Sequence, residues 1–168
     1  MQRVHTVADS PMGPLTLVAT DGTLSGLYMA DQRHRPPEET FGERDERPFT
    51  EALRQLTAYF AGESTRFELP LRLDGTPFQQ RVWAGLQEIP YGETLSYGEL
   101  AERIGAPGAS RAVGLANGKN PIGIIVPCHR VVGSTGGLTG YGGGLDRKRA
   151  LLALERGADA ADGQPRLF

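Results

Sequence analysis

The residues best equipped for chemistry are Pro127-Cys128-His129-Arg130, and Cys128 is the only cysteine in the chain. Ile122, Gly123, Ile124, Ile125 and Val126 precede them and read as a buried run. A thiol after such a run ordinarily stays neutral and inert, because apolar surroundings disfavour its charged form. His129 and Arg130 change that expectation: a proton acceptor and a fixed positive charge each favour the thiolate, which is the nucleophile. Pro127 fixes one backbone dihedral just before the sulfur. An incidental Cys-His pair would look the same in isolation, so the rest of the chain has to decide between an inert thiol and a reactive one.

A single cysteine excludes an internal disulfide and a multi-thiolate zinc site. No metal and no cofactor are expected. At 168 residues, 39% hydrophobic and 23% charged, the chain suits one globular domain or two small ones. No apolar run approaches the roughly eighteen residues needed to span a membrane, and residues 1–10 lack the pattern of a signal peptide. A cytoplasmic protein is therefore expected. The net charge of -2 is unevenly spread: residues 1–75 carry 8 Arg against 12 acids, whereas residues 76–156 carry 9 Lys or Arg against 6 acids. Between Arg103 and Arg130 every charged residue is positive, which permits a polyanionic partner on the face that holds the cysteine.

The elements that must position this site read as follows. Residues 3–8 form a short strand, and residues 14–30 a hairpin turning at Asp21-Gly22. Residues 31–48, rich in Arg, Glu and Pro, read as a solvated loop, residues 49–61 as an amphipathic helix, and residues 67–73 alternate as a strand does. His5 and His34 read as surface residues. Thr76 caps a helix with Pro77 at its first position and Phe78, Val82, Trp83 and Leu86 as its apolar stripe. A helix over residues 96–104, a Gly-Ala-Pro-Gly turn and a second helix over residues 109–118 match a helix-turn-helix. That second helix is nearly without bulk, and its glycines carry an intrinsic cost. Either close approach to a narrow surface such as a DNA minor groove or tight packing on a neighbouring helix accounts for it. Residues 133–144 hold seven glycines and Tyr141, a loop able to close over a pocket. The helix over residues 145–156 has Leu145, Leu151, Leu152 and Leu154 as its apolar residues and exposes Arg147, Lys148 and Arg149. Glu155 sits at the end of that helix where a carboxylate opposes the dipole, so it needs a partner.

Four segments in order resemble the O6-alkylguanine-DNA alkyltransferases, the methylated-DNA-protein-cysteine methyltransferases: Tyr91 to Ala101, Ser110 to Pro121, Ile125 to Val132 and Gly140 to Leu145. The resemblance spans about residues 76–156. It implies an α+β fold, with a small ribonuclease-H-like sheet domain over residues 1–75 and a mostly helical domain with a helix-turn-helix over residues 76–168. It also implies single-turnover repair of O6-alkylguanine in duplex DNA by a monomer that needs no protein partner, with O4-alkylthymine left open as a substrate. The thin helix would enter the minor groove through Ser110, Ala112, Gly114, Asn117 and Gly118, with Arg111 taking the space of the extruded nucleotide. Cys128 would attack the alkyl carbon, with His129 accepting the thiol proton through a water and Glu155 orienting it. Tyr97 would donate to the guanine ring. Asn120 would tie the helix to the cysteine turn. Pro127, Val131, Tyr141 and Gly142 would wall the pocket, the carbonyls of Cys128 and Val131 accepting the guanine amino group. Some family members carry a serine where this chain has Gly142, leaving only a backbone N–H there. The structural zinc of some members has no cysteine ligands here, and the cysteine-rich regulatory domain of an inducible variant has no counterpart.

Overall fold

The computed structural model describes residues 2–137 and 140–157. Three strands, β1 (Arg3–Ala8), β2 (Leu15–Thr20) and β3 (Thr23–Met29), form an antiparallel meander, and β4 (Glu43–Arg44) adds to β1 in parallel. The sheet order is β3-β2-β1-β4. The β2–β3 turn is the Asp21-Gly22 pair, both residues at positive φ (49° and 84°), the conformation a two-residue hairpin of natural twist demands. Residues 31–48 are less open than their composition suggests. They contain a 3-10 turn (Glu38–Phe41) and β4, and they bury Phe41 against Tyr28 on the outer face of the sheet.

Helix α1 (Thr50–Phe60) covers the other side, burying Ala52, Leu56, Tyr59 and Phe60. The strand expected over residues 67–73 does not form. Pro70 lacks the N–H a ladder needs, and the segment makes only one bridge, Leu24 to Leu71. It is held instead by Gln55, whose side-chain amide donates to the Glu68 carbonyl (3.1 Å) and accepts from the Glu68 N–H (2.8 Å).

Helix α2 (Pro77–Gln87) starts where Thr76 predicts, with a reciprocal cap between Thr76 and Gln79. Its Val82 and Leu86 are fully buried, each worth roughly 2 kcal/mol of apolar transfer. A two-residue strand β5 (Leu95–Ser96) runs straight into α3 (Tyr97–Arg103), which Ser96 and Glu99 cap in the same reciprocal way. Helix α4 (Ser110–Gly118) follows without a side-chain cap. The 3-10 turn Cys128–Arg130 leads into β6 (Val131–Val132), and β6 pairs in parallel with β5. Helix α5 (Leu145–Arg156) closes the domain. The fold is thus α+β, an amino-terminal sheet domain followed by a helical one. Among the described residues no helix is long and apolar enough to cross a membrane.

The segment before the cysteine turn joins the two parts. Leu27 N–H donates to the Pro121 carbonyl (2.9 Å) and Gly123 N–H to the Leu27 carbonyl (3.3 Å), so residues 121–123 lean on the β3 edge. Ile124 is forced to φ 70°, a conformation that costs a β-branched residue on the order of 1–3 kcal/mol. Its burial, at 1% exposure, and the Asn120 bracket described below hold it there.

Candidate active site

The pairing of β5 with β6 sets Leu95 against Val131 and Ser96 against Val132, which brings Tyr97 beside the Cys128–Arg130 turn. Asn120 fastens the loop before that turn: its amide donates to the Val126 carbonyl (2.8 Å), and its oxygen accepts from the Ile122 N–H (3.0 Å). Asn117, one turn earlier, donates to the Cys128 carbonyl (3.4 Å). The expected tie between α4 and the cysteine turn therefore has two members, Asn120 and Asn117. Asn117 is 5% exposed and points inward, away from the groove-facing surface expected of it. The helical period explains this: Val113, Ala116, Asn117 and Asn120 form one stripe, and all four are buried.

Behind the turn lies a dense polar network. His129 Nε2 is 2.7 Å from Glu155 Oε2, and Arg130 donates Nε–H to Oε1 (2.8 Å) and Nη2–H to Oε2 (3.0 Å). Tyr59 donates its hydroxyl proton to the same Oε2 (2.5 Å), and Arg130 also donates to the Ile89 carbonyl (2.6 Å). Glu155 has found the partners its position demanded. Burial would raise its pKa, but hydrogen bonds and charge from His129 and Arg130 outweigh that and hold it at about 2. Burial lowers the His129 pKa against the pull of Glu155, which keeps the imidazole neutral. With Glu155 ionised, Nε2 is the protonated nitrogen and Nδ1 keeps its lone pair. Nδ1 is buried with no protein partner among the described residues, as a general base requires.

Arg130 does not serve the sulfur as its position in the sequence suggests, because its guanidinium is committed to Glu155. The cation that acts on Cys128 is Lys148. It was expected on the surface with Arg147 and Arg149, yet its side chain is fully buried and donates to the Gly140 carbonyl (3.4 Å). The period of α5 carried the signal, since Lys148, Leu151, Leu152 and Glu155 share one buried stripe. Burial pulls the Lys148 pKa down to about 8, with Cys128 opposing. Burial pushes the Cys128 thiol up, while the Asn120 side chain and the Lys148 charge act in the other direction.

In front of the sulfur opens a cavity of about 390 Å³. Cys128 and Tyr97 line it together with Gly114, Leu115 and Gly118 of α4, and Tyr141 and Gly142 form the opposite side. A third wall was not expected: Gln32, Arg33 and His34 reach in from the sheet domain, and Arg33 N–H donates to the Gly142 carbonyl (2.7 Å). Burial raises the Tyr141 phenol pKa well above its ordinary value, so it stays neutral. Val131 and Pro127, expected in the pocket, do not line this cavity; Pro127 faces a second one behind the turn, with Arg66, Tyr91 and Arg130. Ser110, Arg111 and Ala112 are all exposed on the outer surface of α4. Of the glycine-rich loop, residues 138 and 139 lie outside the described residues. No group of three metal-ligating side chains occurs among the described residues.

Comparison with known proteins fits this architecture. Residues 77–157 match the family described as 6-O-methylguanine DNA methyltransferase, DNA binding domain, and residues 4–73 match its ribonuclease-like domain. A methylated-DNA-protein-cysteine methyltransferase of Mycolicibacterium paratuberculosis is 61% identical over 90% of this chain and 92% of its own. One from Methanosarcina acetivorans is 51% identical over 90% and 97%. A Mycobacterium tuberculosis OGT solved in complex with DNA superposes with a TM-score of 0.85 at 59% identity, covering 94% of both chains. The chain belongs to the methylated-DNA-protein-cysteine methyltransferase family.

Proposed function

We propose that the protein repairs duplex DNA directly, transferring the alkyl group of O6-alkylguanine to Cys128 in a single turnover. The observation that carries this is the cavity lined by Cys128 and α4, with His129, next to Cys128 in the chain, held by Glu155. The bond from O6 to the alkyl carbon breaks as the sulfur-carbon bond forms, and the electron pair stays with the guanine. His129 Nδ1 takes up the thiol proton, directly or through a solvent molecule. Lys148 stabilises the thiolate, and Tyr97 donates to the guanine ring so that it leaves neutral. The thioether has no water-labile bond, so each molecule acts once.

Alpha-4 enters the minor groove with its glycine-rich face and Arg111 fills the gap left by the flipped nucleotide. Adding a Cβ at Gly118 would meet nothing within 4 Å, and at Gly114 would make only ordinary contact with Tyr97 (3.8 Å). Intramolecular packing therefore does not require these glycines, which favours approach to an outside surface as their reason. Residues 1–75 act as the scaffold and residues 76–168 carry the chemistry, in a cytoplasmic monomer. O4-alkylthymine remains a candidate second substrate.

Incubation with excess duplex containing O6-methylguanine, followed by digestion and mass analysis, tests the reading. One methyl on Cys128, saturating at one per protein and absent from Cys128→Ser, is expected. Binding without modification would point to a DNA-binding module, and repeated ester or amide turnover to a hydrolase. Arg111→Ala should slow repair of duplex far more than reaction with free O6-benzylguanine; equal losses would remove the flipping role.

A further inference from the structure

Leu115 is 67% exposed, more than any other large apolar side chain among the described residues. It stands on α4 one turn beyond Arg111 and one turn before Lys119, a row in which neighbours are about 6 Å apart along the axis. Gly114 and Gly118 flank it, so between Arg111 and Lys119 it is the one bulky apolar projection from this surface. Leu115 also lines the cavity in front of Cys128, whereas Arg111 does not. Leu115 therefore stands between Arg111 in sequence and the cavity that holds the sulfur.

We propose that Leu115 is a positioning residue for base extrusion: an apolar wedge that enters the minor groove at the damaged step, unstacks it and lines the path of the flipped nucleotide. The inference rests on the duplex-repair reading above. An apolar side chain inserted between base steps loosens their stacking and lets the duplex kink away, and a leucine on a bare helix face reaches further than the backbone can. Arg111 then fills the vacated space, and Lys119 contacts the phosphate backbone.

The test compares methyl transfer from O6-methylguanine in duplex, in single strands and in a duplex where the lesion lies in a bulge already unstacked. For Leu115→Ala the ratio of duplex to single-strand rate should fall about tenfold, and the bulged substrate should recover most of the loss, since its unstacking is already done. Leu115→Met, which keeps the reach, should hold the wild-type ratio. Equal slowing on all three substrates, or an unchanged ratio, would overturn the wedge. If the wild-type protein reacts with duplex and Leu115→Ala matches it, only the wedge fails. If the wild-type protein takes no methyl from any substrate, the repair reading fails and the wedge with it.

Discussion

Helix α5 buries two charges, one on each side of the cysteine turn, and their treatment differs. Glu155, behind the turn, accepts from Tyr59, Arg130 and His129, and its pKa is held at about 2. Lys148, in front, donates to the Gly140 carbonyl (3.4 Å), and burial pulls its pKa down to about 8. The first charge is better off folded than in water; the second is worse off. A buried charge kept at a loss to stability is a mark of function, and here it faces the sulfur. The rear of the site holds the structure together, and the front is held in readiness for a reaction.

The largest effect expected from breaking this contrast is at the rear. Glu155→Gln leaves the Arg130 guanidinium buried without its counter-charge and should destabilise the fold by about 3–5 kcal/mol in urea unfolding. The same carboxylate sets the acid limit. Its folded pKa is depressed, so its contribution is complete above about 4.5 and is lost as pH falls toward 2. The loss should reach about 3 kcal/mol from this group alone, and the Glu155→Gln variant should lack it.

At the front the stability effect should run the other way. Lys148→Met removes an ammonium that burial disfavours, so urea unfolding at pH 7 should show no loss of stability, while transfer from free O6-benzylguanine slows about tenfold, the size of one modest electrostatic term. The depressed pKa means that the lysine's cost is present below about 8 and fades as pH rises toward 10.5. In a Cys128→Ser background, free of thiol ionisation, the stability difference between lysine and methionine should shift in favour of lysine across that window. A drop in stability for Lys148→Met at pH 7 would cancel the contrast between the two ends of α5.

The smallest effect sharpens the comparison on α4. Gly118→Ala should stabilise the protein by about 0.5–1 kcal/mol, because the new Cβ meets nothing in the molecule. Its duplex repair should nonetheless slow by a few fold. A variant that gains in both stability and repair would mean that the glycine faces no partner.

The parts of the molecule that were legible in the sequence are those set by local rules. The Asp21-Gly22 turn, the Thr76 cap and the alternation of α3, turn and α4 each follow from a few neighbouring residues. The lone cysteine before His129 and the ill-placed Glu155 were visible too, because their residue types were out of keeping with their surroundings. Lys148 and Asn117 were misjudged by residue type: a lysine between two arginines and an asparagine on a presumed groove-facing helix both read as surface. Their positions at i, i+3, i+4 and i+7 within buried stripes said otherwise.

The sequence by itself determined which functional groups are available to react, since only a thiol, an imidazole and a carboxylate of these types can serve as nucleophile, base and orienting acid, whereas how reactive each one is depends on its surroundings. Only the tertiary structure decided which charge faces which atom. Arg130 adjoins Cys128 in sequence yet spends its guanidinium on Glu155, whereas Lys148, twenty residues away, acts on the sulfur. Tyr59 and the 32–34 loop enter the site through contacts between parts distant in sequence, among them residues 121–123 on the β3 edge and Arg33 on Gly142. Electrostatic interaction depends on distance and burial, and neither is a property of neighbouring residues along a chain.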